Sequence, residues 1–166
     1  MRSTAFALLL VCGAATTPMA VAEEIRASNS ALVRAGGMTI QEVAAVFEDQ
    51  SFKTEISSAS ELTAEAWGFE FEVAGYHCNN NSRCTEFLLV AGFDLPNGFP
   101  IEKINEWNQT EPAGRAFLDE DRDPFLDHTI SVSGPADTGA LYEGLILWLN
   151  ALQEFDKFLD QHITQA

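Results

Sequence analysis

The sequence predicts an α+β domain, a five-stranded and mainly antiparallel sheet with helices on one face in the order α-β-β-β-α-β-β-α. Three observations lead there. Trp67, Phe69, Phe71 and Val73 fall on one side of an extended chain, and Phe87, Leu89, Ala91 and Phe93 repeat the alternation. Between the two runs, Cys78 and Cys84 enclose Asn79, Asn80, Asn81, Ser82 and Arg83, a polar stretch suited to a turn. Each expected strand has one apolar face, so the sheet packs its helices on the side those faces share.

The chain opens with Arg2, an apolar run over residues 5–15, and Ala20, Val21 and Ala22 ahead of two glutamates. That is a secretory signal over residues 1–22, cut after Ala22 and too short to span a bilayer. Cys12 leaves with it, because Val11 stands where a lipidated cysteine needs a small residue. The expected location is periplasmic or secreted. Residues 23–37 read as a flexible lead-in, with a short run over 31–35 compatible with an edge strand, and residues 38–162 form one domain.

Thr39 followed by Glu42 is the reciprocal capping pattern, and Ile40, Val43, Val46 and Phe47 recur at helical spacing, giving a helix over residues 40–49. Phe52, Thr54 and Ile56 alternate as a first strand. Residues 57–65 read as a polar connection. After the central hairpin, Asp94, Leu95, Pro96, Asn97 and Gly98 form a turn, and Pro100 starts a helix carrying Ile101, Ile104 and Trp107. Pro112 and Gly114 end it. Residues 116–118 begin a strand, 119–124 make an acidic turn, and Leu126, His128, Ile130 and Val132 alternate along the last strand. Gly134 and Pro135 precede a final helix with Leu141, Leu145, Trp148, Leu149, Leu152, Phe155 and Leu159 in one stripe.

The two cysteines left after signal removal are an even number in an oxidising compartment, so a Cys78–Cys84 disulfide is expected. Closing so short a loop contributes about 2 kcal/mol. The mature chain keeps eight basic residues against 25 acidic ones, 8 − 25 = −17, which repels phosphate backbones and anionic lipid and argues against nucleic acid or membrane as partners. Asp119, Asp121 and Asp123 have the spacing that begins a calcium loop, yet Pro124 and Ile130 stand where such a loop needs glycine and glutamate. No metal site is therefore expected there, nor zinc on His77, Cys78 and Cys84, whose thiols pair with each other. His128 reads as a partly buried imidazole. No nucleophile elbow, phosphate loop or dinucleotide fingerprint appears, and no cofactor is expected.

Residues 87–130 resemble the YbjN family of bacterial proteins. The matching pieces are Ala91-Gly92-Phe93, Ile104-Asn105-Glu106-Trp107-Asn108, Arg115-Ala116-Phe117-Leu118-Asp119 and the Asp123-Pro124 turn. The likeness extends through residues 39–56 and the cysteine pair. One departure is the 57–65 segment, which replaces a compact Gly-Asp-Pro turn. The resemblance implies a fold like that of type III secretion chaperones and a role labelled sensory transduction regulator. A fold of that kind works by dimerising and holding a peptide. The expectation is a non-enzymatic module that binds a protein or peptide partner, with a homodimer compatible. A small enzyme using carboxylates and a weak divalent-cation binder are the alternatives. Trp107, Asn108 and Arg115 are the candidate partner-binding residues, with Trp107 on a stripe that suits the core better than an exposed anchor and Arg115 suited to an internal ion pair or to a partner's carboxylate.

Overall fold

The computed structural model describes residues 36–132 and 138–163. The signal, the 31–35 run and the Gly134-Pro135 break lie outside those residues. Helix α1 (Ile40–Asp49) starts on the expected capping box: the Thr39 hydroxyl accepts from the Glu42 N–H at 3.2 Å, and the Glu42 carboxylate accepts from the Thr39 N–H at 2.9 Å. Its buried stripe is Ile40, Val43, Ala44 and Phe47.

The sheet has six strands, not five. They are β1 (Lys53–Ile56), β2 (Glu61–Ala66), β3 (Phe69–Tyr76), β4 (Glu86–Gly92), β5 (Arg115–Leu118) and β6 (Pro124–Ser131), in the spatial order β1-β2-β3-β4-β6-β5 with every neighbouring pair antiparallel. Helix α2 (Ile101–Thr110) separates β4 from β5, and α3 (Thr138–Ile163) closes the chain. The order of elements is therefore α-β-β-β-β-α-β-β-α.

The additional strand lies in the segment expected to be a polar connection. Leu62, Ala64 and Ala66 alternate inward against Glu61, Thr63 and Glu65. Two of the three inward residues are alanine, which adds little apolar signal and is depleted in strands, so the period is faint in the sequence. The same strand displaces Trp67. Trp67 (φ 55°) and Gly68 (φ 91°) are both left-handed and form the two-residue turn between β2 and β3, the geometry that suits the twist of a tight hairpin. Trp67 is 48% exposed at that tip instead of joining the apolar face.

Strand alternation sends Leu62, Ala64, Phe71, Val73, Phe87, Leu89, Leu126 and Ile130 into one core with the helices. Helix α3 supplies the other wall, and its 26 residues bury Leu141, Leu145, Trp148, Leu149, Ala151, Leu152, Phe155 and Leu159. Trp148 meets Phe71 edge-on with centroids 5.9 Å apart, and Phe155 meets Phe93 at 5.5 Å and Trp107 at 4.8 Å. The opposite face of the sheet carries none of this core.

Because Leu62 is 1% exposed inside β2, Leu62→Ala is expected to destabilise the domain by about 2–5 kcal/mol. A urea titration showing a loss within about 0.5 kcal/mol, the range of a surface substitution, would place Leu62 in a loop.

Candidate functional site

The three candidate binding residues converge on β5, and two of them serve the fold. Trp107 is buried at 2% exposure, with its indole N–H donated to the Gly114 carbonyl at 3.1 Å and its ring against Phe155 and Phe158. Asn108 uses both ends of its amide on a single residue: its Nδ2 donates to the Ala116 carbonyl at 2.9 Å and its Oδ1 accepts from the Ala116 N–H at 2.8 Å. These are the bonds a seventh strand would otherwise make, so the amide caps the outer edge of β5. Arg115 projects to the helix-free face, where its guanidinium forks onto both oxygens of Asp127 and lies 5.5 Å from the centre of the Phe117 ring. The pairing raises the affinity of Arg115 for its proton, first through the hydrogen bond and then through the charge. Asp127 is 7% exposed, and this fork compensates its burial. The Arg115 side chain remains 72% exposed and within reach of a partner.

The Cys78–Cys84 disulfide is formed, at the end of the β3–β4 hairpin. Cys84 is fully buried, and its backbone exchanges hydrogen bonds of 2.8 and 2.9 Å with Met38, which ties the start of the domain to this hairpin. Arg83 donates to Glu42 at 3.0 Å and to the Gly37 carbonyl at 2.7 Å. Burial alone would raise the Glu42 carboxyl, but the Thr39 N–H and the Arg83 guanidinium outweigh it and hold the carboxyl below its usual range.

The acidic turn is committed to its own backbone. Asp119 accepts from the N–H groups of Asp121 at 3.0 Å and Asp123 at 2.8 Å, while Asp123 accepts from the Leu95 N–H at 2.9 Å. Among the described residues no three of His, Cys, Asp and Glu are grouped so as to hold a metal ion. His77 lies 3.4 Å from Glu86 beside the disulfide. His128 faces the core side, half-buried between Leu126 and Ile130. Burial lowers its pKa, and the nearby Asp127 charge opposes that only in part.

One cavity of about 350 Å³ lies between α1 and the start of α3, beside Val46, Gln50 and Tyr142, and other open ground lies on the sheet face opposite the helices. Three shallow grooves, of about 300, 300 and 250 Å³, share Thr63 at the middle of β2. One runs past Glu70, Glu72, Val90, Gly92 and Phe125, the second past Lys53, Glu55, Glu65 and Glu70, and the third past Ser57, Glu61 and Ala74. A Cβ at Gly92 would sit 2.6 Å from the Phe125 ring, so the missing side chain lets that aromatic lie across the strand. Phe125 stacks on Phe117 at 5.4 Å. The face is therefore acidic over β1 to β3, while over β4, β6 and β5 the apolar side chains of Leu88, Val90, Phe117 and Phe125 surround the Arg115–Asp127 pair.

None of Glu70, Glu72, Val90 and Phe125 was marked by a motif. The signal lay in β4, where Leu88 and Val90 alternate with inward Phe87, Leu89 and Ala91, making a strand apolar on both faces. With one layer of helices, one of those faces stays uncovered.

A family model named YbjN and described as "Putative bacterial sensory transduction regulator" matches residues 39–161. No curated protein and no solved structure matches the chain.

Asn108→Ala removes both partners of the Ala116 backbone, and a loss of about 1–3 kcal/mol in denaturant unfolding is expected. An unchanged midpoint would show that the edge needs no cap. For His128 the folded pKa lies below the unfolded one, so its contribution to stability is complete above about pH 6.5 and is lost as pH falls through the depressed folded value. Stability of the wild type is expected to fall as pH drops below about 6.5, and His128→Gln to flatten that slope. An identical slope in the variant would move the acid sensitivity elsewhere.

Proposed function

The chain belongs to the YbjN family, and on that premise we propose that it is an exported, non-catalytic module that holds a polypeptide partner against the uncovered face of its sheet. The observation that carries the reading is that face itself. It is a broad surface without a helix layer, grooved along Thr63 and bordered by Leu88, Val90, Phe117 and Phe125. Apolar side chains left partly exposed on an otherwise ordered sheet are what a protein-binding surface offers. Arg115 sits at its rim, while Trp107 and Asn108 act on it indirectly by fixing β5.

Export is supported by the pattern of residues 1–22 and by the disulfide, since thiols of a reducing compartment stay unpaired. Among the described residues, no helix is long and apolar enough to cross a membrane.

The test is affinity capture by the mature chain from a periplasmic extract, followed by purification of the captured protein and rebinding. A one-to-one complex by light scattering is expected, and Leu88→Lys, a charge placed in the middle of the face, is expected to abolish it while leaving the melting temperature within a few degrees. Failure to capture any protein that rebinds, or full binding by folded Leu88→Lys, would overturn the reading.

A further inference from the structure

The two halves of the helix-free face differ in what they lack. On the β1 to β3 half, Glu55, Glu70 and Glu72 have no cation within ion-pair distance among the described residues. Glu70 stands directly opposite Glu65 in the β2–β3 register, and Lys53 already takes Glu65 at 2.7 Å. Like charges placed opposite one another on neighbouring strands destabilise a sheet. Lys53 relieves that repulsion at Glu65, and among the described residues no cation pairs with Glu70 itself. The apolar row begins one strand away: Val90 is the register partner of Glu72, Leu88 lies opposite Ala74, and the Phe125 ring covers Gly92. A ligand seated along the Thr63 grooves would touch unmatched carboxylates with one side and partly exposed hydrocarbon with the other.

Three kinds of occupant can be compared on that chemistry. A metal ion finds no three-ligand group among the described residues. A polyphosphate or nucleic acid meets a chain of net charge −16. A cationic amphipathic polypeptide answers both halves, because its basic groups neutralise the carboxylates and its apolar groups cover Leu88, Val90 and Phe125. We propose that the face binds a peptide segment in which lysine or arginine alternates with apolar residues, its cations on Glu55, Glu70 and Glu72 and its apolar side chains on Leu88, Val90 and Phe125. This names the partner class for the surface assigned above and rests on that assignment.

The probe is a ten-residue peptide of alternating lysine and valine, titrated calorimetrically into the mature chain at low salt, with an alternating glutamate and valine peptide as the opposite-charge control. One-to-one binding of the lysine peptide alone is expected. Glu70→Gln with Glu72→Gln keeps shape and removes two charges, and affinity is expected to fall roughly tenfold. Val90→Ser is expected to weaken binding with every charge retained. Glu102→Gln with Glu143→Gln removes the same charge from exposed helix positions and is expected to leave affinity unchanged. The proposal is overturned if the lysine peptide does not bind, if the helix variant loses as much as the sheet variant, or if folded Val90→Ser binds like the wild type, since each of the last two outcomes reduces the effect to net charge. The natural partner separates the two levels. A captured partner that binds the Glu70→Gln, Glu72→Gln chain as tightly as the wild type removes the charge assignment and leaves the interaction module standing, whereas no captured partner removes the module.

Discussion

The constraint that orders this molecule is that one layer of helices has been laid on one face of a six-stranded sheet. Helix α3 dominates that layer, since its eight buried side chains and the Phe71, Phe93 and Trp107 rings they meet form the continuous part of the core. Burial of this kind is roughly proportional to apolar area removed from water, so a 26-residue helix with a wide stripe fixes which way every strand must face. A slip of one residue in β4 would turn Phe87 and Leu89 outward. The same constraint leaves the second face without a helix against it among the described residues, and function is assigned there for that reason.

An antiparallel sheet of this kind also has two edges to protect, and the molecule treats them differently. The β5 edge is closed by the Asn108 amide, which imitates the hydrogen bonding of a neighbouring strand. The β1 edge is four residues long and carries Lys53 and Glu55, a short charged strand that discourages pairing with other chains. Between them the β3–β4 hairpin is fastened by the disulfide and by the Met38 bridge, with Arg83 and Glu42 joining it to the start of α1. The framework around the open face is thus held at the β5 edge and at the β3–β4 hairpin, which leaves that surface preformed.

Much of the fold was legible in the sequence because strong signals and structure coincide. The capping pair at Thr39 and Glu42, the stripe from Leu141 to Leu159 and the alternation in β3, β4 and β6 each follow from side chains large enough to dominate a window. β2 escaped because alanine at 64 and 66 leaves its inward face small, and Trp67 misled because a large aromatic beside a strand reads as part of it when the left-handed turn at Gly68 is not seen. The site was harder to read than the fold. Asn108 and Trp107 stood out by family likeness, yet their contacts show them holding β5, and only Arg115 reaches the open face. The carboxylates that face the grooves come from ordinary polar positions on alternating strands. Which of many glutamates share a surface depends on strand register, and register is a long-range property that no local pattern carries.

The decisive observable is where a bound polypeptide touches the protein. Amide chemical-shift mapping of the isotope-labelled mature chain, titrated with the alternating lysine and valine peptide, measures this directly. The expected result is a contiguous set of shifts at Thr63, Glu70, Glu72, Leu88, Val90 and Phe125, with α1 and α3 unmoved. Shifts confined to the outer surfaces of those helices, with the sheet silent, would contradict it.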